Sequence, residues 1–297
     1  MMLRSFIRRY VVHPLEALCA FSGYAFFALL PLDGASALGG WVARTIGPKL
    51  PISNRAVRNI SRAFPDKSRT EIDIIVRQMW DNFGRVVAEY PHLSKFDVFA
   101  PNGRVEVVGV EIIDLLRDDG LPGLAFSAHI GNWEILSLAA TQRGMPLDRV
   151  YRAANNPIVE WLFTRGRSAV DGALIPKGPA GVRPLLKSLK NGNHLALMID
   201  QKMNDGIAVP FFGRDAMTAT ALVEFAQKFS CPVVPARVER LEGARFRIIV
   251  DPPLELTDTG DRHADVLTNM TTVNAIVEQW VRDTPGQWLW LHNRWPD

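Results

Sequence analysis

In the stretch AFSAHIGNWEIL, residues 125 to 136, an apolar run ends on His129, and Glu134 follows five residues later. A carboxylate that accepts a hydrogen bond from one imidazole nitrogen fixes the tautomer. It leaves the other nitrogen free to take a proton and stabilises the imidazolium that results. The pair therefore reads as a general-base dyad. In a continuous helix, five residues would turn the two side chains about 140° apart, so they meet only if Gly131 and Asn132 make a turn first. The nucleophile must come with the substrate. The chain has no G-x-S-x-G elbow, Ser127 lies upstream on the same run, and Cys19 and Cys231 are far away. A hydroxyl acceptor fits these conditions. On spacing alone two other readings of the histidine stay open, a core imidazole satisfied by one hydrogen bond and a metal ligand. The metal reading is the poorer, because H-x-x-x-x-E lacks the paired histidines of the zincins.

The elements that would position such a pair are readable around it. GLAFSA reads as a buried strand, and sites in open α/β sheets lie at the carboxyl ends of strands, which is where His129 falls. From residue 104 onward, β-prone runs (RVEVVG, GLAFSA, RVYRA, HLALMID, CPVVPARVE, RFRIIVD) alternate with segments of helical spacing at 131–143, 157–169, 181–191, 218–229 and 264–283. That alternation predicts an α/β fold, a mostly parallel central sheet flanked by helices. The helix at 181–191 is expected to close at Asn191 and Gly192, and LEGA (241–244) reads as a hairpin turn. Upstream, Ser68 and Glu71 form a capping box for an amphipathic helix carrying Ile72, Ile75, Met79, Phe83, Val86 and Tyr90. SNRAVRNISRAF (53–64) reads as a basic helix whose start is marked by Ser53.

At 297 residues with 47% hydrophobic content, the chain can build a sizeable core, which excludes a disordered or fibrous protein. Two distant cysteines supply neither a disulfide framework nor a zinc site. A net charge of +3 and a pI near 9.0 describe a mildly basic surface suited to phosphate groups, anionic lipid or an acidic carrier protein. No recognition-helix, zinc-finger or RNA-binding pattern accompanies it, so nucleic acid is not an expected partner. Near the N-terminus, Arg4, Arg8 and Arg9 precede LEALCAFSGYAFFALLPL (15–32), an apolar run close to the roughly 17 to 25 residues of a membrane span. It reads as a membrane anchor, with an interfacial helix and a buried core helix as the other possibilities. The tryptophan-rich QWLWLHNRW (287–295) reads either as an interfacial belt or as a terminal segment docked on the core.

The residues SAHIGNWEI resemble the H-x4-D/E block of the glycerolipid acyltransferase superfamily and, with glutamate at the end, the bacterial late acyltransferases of lipid A biosynthesis. VYRAANNPIVEWLFTRGR (150–167) is similar to the second block of that family, MIDQKMNDGIAVPFFGRDAMTAT (198–220) to the third, and CPVVPARV (231–238) to the proline-bearing fourth. The resemblance implies an N-terminal membrane anchor and juxtamembrane segment at 1–50 and an α/β acyltransferase domain at 51–297. It implies transfer of a C12–C16 acyl chain from acyl carrier protein to a hydroxyl of a lipid A precursor, on the cytoplasmic side of a bacterial inner membrane. No cofactor and no metal are expected, and the oligomeric state is left open. Coenzyme A as donor, another glycolipid or an ornithine-type lipid as acceptor, a lipid hydrolase and a non-catalytic lipid-binding protein remain alternatives.

Within that frame His129 is the base and Glu134 its orienting carboxylate. Arg152, or backbone N–H groups near Asn132, would stabilise the oxyanion. Arg167, Lys177, Lys202 and Arg214 would handle phosphate. Asp200 and Gln201 close the strand HLALMID, with Asp200 expected to pair with an arginine or bind sugar hydroxyls. Phe212, in the loop Pro210 to Gly213, would line an acyl channel or belong to the core.

Overall fold

The computed structural model describes residues 8–295; Arg4 lies outside the described residues. The N-terminal apolar run is helix α1 (His13–Leu29), and Pro31 separates it from α2 (Leu32–Ile46). The segment Tyr10–Leu29 is long and apolar enough to cross a membrane, with a mean hydropathy of 1.3. Its large side chains are largely uncovered, Leu18 being 63% and Leu29 86% exposed. The core-helix reading of this segment is therefore wrong. Among the described residues it is held along one edge, where Phe21 stacks on Trp161 with ring centroids 5.9 Å apart, Asn156 Nδ2 donates to the His13 carbonyl at 2.8 Å and the Phe27 carbonyl lies 2.9 Å from His92 Nε2.

Beyond α2 come α3 (Ser53–Ala63) and α4 (Arg69–Glu89). The Ser68–Glu71 capping box forms as the sequence predicts, and Ile72, Ile75, Met79 and Val86 are buried. Ser53 does begin α3, but its hydroxyl does not cap the helix. It donates to the Gly47 carbonyl at 2.6 Å and accepts from the Trp80 indole at 2.9 Å. Helix α2 lies against α4 at a glycine crossing, where a Cβ on Gly39 would come within 2.5 Å of the Gly84 carbonyl and one on Gly84 within 2.2 Å of the Gly39 carbonyl. Only residues without a side chain permit that approach.

The remaining elements are β1 (Val105–Val108), α5 (Val110–Asp118), β2 (Leu124–Ser127), α6 (Leu136–Gln142), β3 (Leu147–Tyr151), α7 (Pro157–Gly166), β4 (Leu174–Pro176) and α8 (Pro179–Lys190). They are followed by β5 (His194–Met198), β6 (Ile207–Phe211), β7 (Arg214–Thr218), α9 (Ala221–Phe229), β8 (Val233–Arg240), β9 (Phe246–Val250) and α10 (Arg262–Asp283). Seven strands form one sheet in the order β1-β9-β8-β2-β5-β3-β4, parallel throughout except between β8 and β9. The chain is thus α/β with a mostly parallel sheet, as the alternation predicts. Strand β8 returns as β9 through a turn at the expected LEGA, and α8 stops at Asn191 before Gly192 at φ +80°.

The sheet carries one apolar cluster on each face. Leu124 and Phe126 of β2 join Trp280 of α10 on one side, while Val234 and Ala236 of β8 join Leu138 and Ala139 of α6 on the other, the alternation a strand imposes. The segment 207–218, not foreseen as strands, is a separate antiparallel hairpin. Its two-residue turn is Phe212-Gly213, with φ of +52° and +66°, the backbone of a type I′ turn. The C-terminal tryptophans settle between the two readings of the tail. Trp288, Trp290 and Trp295 are at most 2% exposed, so they dock on the core and form no interfacial belt.

Candidate active site

Strands β2 and β5 run parallel with Ser127 opposite Met198, and the pairing continues one step further as Ile199 N donates to the Ser127 carbonyl at 3.1 Å. Two residues beyond each strand, the same register brings His129 opposite Asp200. The Asp200 carboxylate takes the His129 backbone N–H at 2.8 Å on one oxygen and stands 2.8 Å from His129 Nδ1 on the other. The Trp288 indole donates to it at 2.8 Å, and the aspartate residue is 2% exposed. Burial alone would push the Asp200 carboxyl up, but the His129 ring, its N–H donors and the indole outweigh that and hold it well below the usual carboxylate range. A carboxylate only accepts, so Nδ1 of His129 carries the proton and Nε2 presents its lone pair. That second nitrogen lies 3.4 Å from Gln201 Nε2, which is itself 3.2 Å from His292 Nε2. Burial, reinforced by the neighbouring His129, lowers the His292 imidazole to about 4.

The expected contact between His129 and Glu134 is not the one the fold makes. Gly131, at φ +59°, does make the turn, and residues 133–135 form a single 3-10 turn before α6. That turn delivers Glu134 to Arg167 instead, whose Nε and Nη2 donate to the two carboxylate oxygens at 2.9 and 2.6 Å. The arginine sits at the C-terminal end of α7. Burial would lower its pKa, but the bidentate carboxylate raises it. Asp200, expected on an arginine or a sugar, is the true partner of His129. The reason is geometric: the strand register is fixed by backbone hydrogen bonds, whereas the chain between His129 and Glu134 turns away from the ring.

A cavity of about 710 Å³ opens at this end of the sheet, and His129, Glu134, Arg152, Arg167, Lys177 and Gln201 all line it. Its inner wall is apolar. Ala125 of β2 and Ala196 of β5 stand side by side in register, and Ala139 and Ala140 of α6 line the same space with Ile113, Leu116 and Met145. Small side chains on both layers are what leave the space. Lys177 is pushed to a lower pKa by burial and by nearby Arg152.

Other expected site residues lie elsewhere. Asn132 is 0% exposed, its side chain spent on Glu89 and on the Glu134 N–H. Phe212 is 6% exposed and packs edge-on against Phe64 and Phe211, which assigns it to the core. Lys202 and Arg214 are not part of the cavity wall, and Arg214 is exposed on β7. Sequence reasoning missed Trp288, His292 and Glu89. Their distance along the chain hides the first two, although the aspartate ending HLALMID directly beside a strand ending in histidine was a usable signal.

The family model described as bacterial lipid A biosynthesis acyltransferase matches residues 10–297. The Escherichia coli (strain K12) lipid A biosynthesis lauroyltransferase is 28% identical over 249 residues, covering 80% of this chain and 76% of that protein. A Haemophilus influenzae lipid A biosynthesis acyltransferase is 22% identical over 268 residues, covering 89% of this chain and 82% of its own length. The E. coli lipid A biosynthesis myristoyltransferase is 24% identical over 240 residues, 80% of this chain and 73% of that protein. Among solved structures, the 1-acyl-sn-glycerophosphate acyltransferase of Thermotoga maritima aligns with a TM-score of 0.37 at 14% identity, over 85% of this chain and 96% of the other.

Proposed function

Because the chain belongs to the bacterial lipid A biosynthesis acyltransferase family, we propose that it is a membrane-associated O-acyltransferase carrying a fatty acyl chain from acyl carrier protein to a hydroxyl of a lipid A precursor. The observation that carries the proposal is an imidazole at the mouth of an apolar cavity, its Nδ1 held by a buried carboxylate and its Nε2 facing the Gln201 amide at 3.4 Å, a long contact that an acceptor hydroxyl can replace.

In this reading His129 Nε2 removes the proton from the acceptor hydroxyl as its oxygen attacks the thioester carbon. The tetrahedral intermediate collapses with cleavage of the carbon–sulfur bond, and the imidazolium returns the proton to the leaving thiolate. Asp200 orients the ring and balances its transient charge. Glu134 acts through Arg167, holding a guanidinium at the cavity wall where the oxyanion develops, with Arg152 as the second cation there. Lys177 and Arg152 would meet phosphate groups of the acceptor or the pantetheine arm of the donor, whereas Lys202 and Arg214 would reach only outlying parts of a bound partner. The alanine-walled inner space would take the acyl chain, each buried methylene contributing about 0.8 kcal/mol.

Residues 1–50 would serve as anchor and juxtamembrane segment, α1 meeting the bilayer of the inner membrane from its cytoplasmic side. Residues 51–297 would form the transferase domain. The test is transfer of labelled acyl chain from acyl carrier protein to a lipid A precursor by the detergent-solubilised protein. Product acyl ester is expected with wild type and none with His129→Ala. Free fatty acid released without any acceptor would assign a hydrolase instead.

A further inference from the structure

Among the described residues, the carboxylate of Glu89 is a fully enclosed charge that the proposed chemistry does not use. It ends α4 and is 0% exposed. Four donors surround it: Arg240 at 2.5 and 3.0 Å, the Ser36 hydroxyl of α2 at 2.6 Å, and Asn132 Nδ2 at 2.8 Å. We infer that Glu89 is a positioning residue for the transfer reaction, fixing through Asn132 the loop that carries His129 and Glu134 and tying that loop to α2. The inference deepens the transferase reading and rests on it for its kinetic part.

Asn132 lies between the two functional residues, and its amide is used at both ends. Nδ2 donates to Glu89, while Oδ1 accepts the Glu134 backbone N–H at 3.2 Å and so caps the turn that presents Glu134. A carboxylate offers only acceptors, so Glu89 decides which way the amide faces. With the amide reversed, Oδ1 would confront the Glu89 oxygens and the cap on Glu134 would be lost. A second route converges on the preceding residue. The same Arg240 donates through Nε to Asn82 Oδ1 at 2.8 Å, and Asn82 Nδ2 donates to the Gly131 carbonyl at 2.9 Å and to the Gln287 carbonyl at 3.1 Å. Gly131 approaches the next strand closely, since a Cβ there would meet the Val238 carbonyl at 2.3 Å, so only glycine fits. Both residues that turn the chain from His129 toward Glu134 are therefore held by one buried network. Ser36 brings α2 into it, and Arg85 donates to the same hydroxyl at 3.1 Å. The docking of α2 thereby becomes part of the geometry of the site.

The experiment compares wild type with Glu89→Gln, which keeps shape but gives Asn132 an amide that can be read either way, and with Ser36→Ala, which removes only the donor from α2. Two readouts are taken on each folded variant: steady-state acyl transfer, and amide hydrogen exchange over residues 130–136. Glu89→Gln is expected to lower kcat by about 10- to 100-fold with KM changed less than about threefold, and to speed exchange in the loop. Ser36→Ala is expected to do both to a smaller degree. Wild-type kcat and wild-type exchange in Glu89→Gln would overturn the proposal. If Glu89→Gln does not fold, Ser36→Ala decides on the same criteria. A wild-type protein that transfers no acyl group would defeat the transferase reading while loop exchange still decides the role of Glu89.

Discussion

Two acid pairs stand at the mouth of the cavity and are built differently. His129 and Asp200 are set by neighbouring strands whose register is locked by backbone hydrogen bonds, and the aspartate is further held by an indole. Glu134 and Arg167 join a 3-10 turn to the end of a helix, and their side chains keep 11% and 22% of their exposure. In the proposed reaction the first pair fixes a tautomer and the second holds a charge beside the reacting centre. A residue close in sequence is thus a poorer guide to a histidine's partner than a residue at the same level of the adjacent strand.

Mutations should separate the two pairs. The largest effect is expected for His129→Ala, a loss of about 10³-fold in kcat with the fold intact by circular dichroism. Asp200→Asn should follow, with about 10²- to 10³-fold lost in kcat because the ring can adopt the wrong tautomer. Glu134→Gln should cost less, about 10- to 100-fold, since the amide still accepts one hydrogen bond from Arg167. A Glu134 variant more damaged than the Asp200 variant would reverse the roles assigned here. Further from the chemistry, Ala139→Leu fills the inner cavity and should shift donor preference toward shorter acyl chains by about tenfold in kcat/KM, measured by competition between a shorter and a longer acyl chain loaded on the same carrier protein.

The smallest effect is on stability. His292 falls from its ordinary 6.5 to about 4 in the folded chain, so between those values the unfolded chain binds more protons. Stability from this group is full above about pH 6.5, declines as the pH drops toward 4, and is gone below. After allowance for its partial exposure the contribution is about 1 kcal/mol. Denaturant titrations of wild type and His292→Asn at pH 7 and pH 5 check it, the wild type losing more on acidification.

Much of the scaffold was legible because it rests on local periodicity. The six β-prone runs and the helices from 53 onward follow from apolar spacing, and Ser68 with Glu71 marks a real helix start. The three-residue β4 is too short to show a period, and the 207–218 hairpin turns on Phe212, whose positive φ accompanies an amide donated to Glu278 and a surround of aromatic rings. At the site, His129, Glu134, Arg152, Arg167, Lys177 and Gln201, expected from spacing and family resemblance, line one cavity. Their partnerships were not expected, since Trp288 and His292 arrive through tertiary packing of the C-terminal segment.

The central claim is that Asp200, not Glu134, orients the imidazole of His129. The most direct measurement is ¹⁵N–¹H correlation of the histidine ring in wild type, Asp200→Asn and Glu134→Gln. The account predicts a His129 ring protonated at Nδ1 in wild type and in Glu134→Gln, with that tautomer lost in Asp200→Asn. Loss of the Nδ1 proton in Glu134→Gln, with Asp200→Asn unchanged, would contradict it.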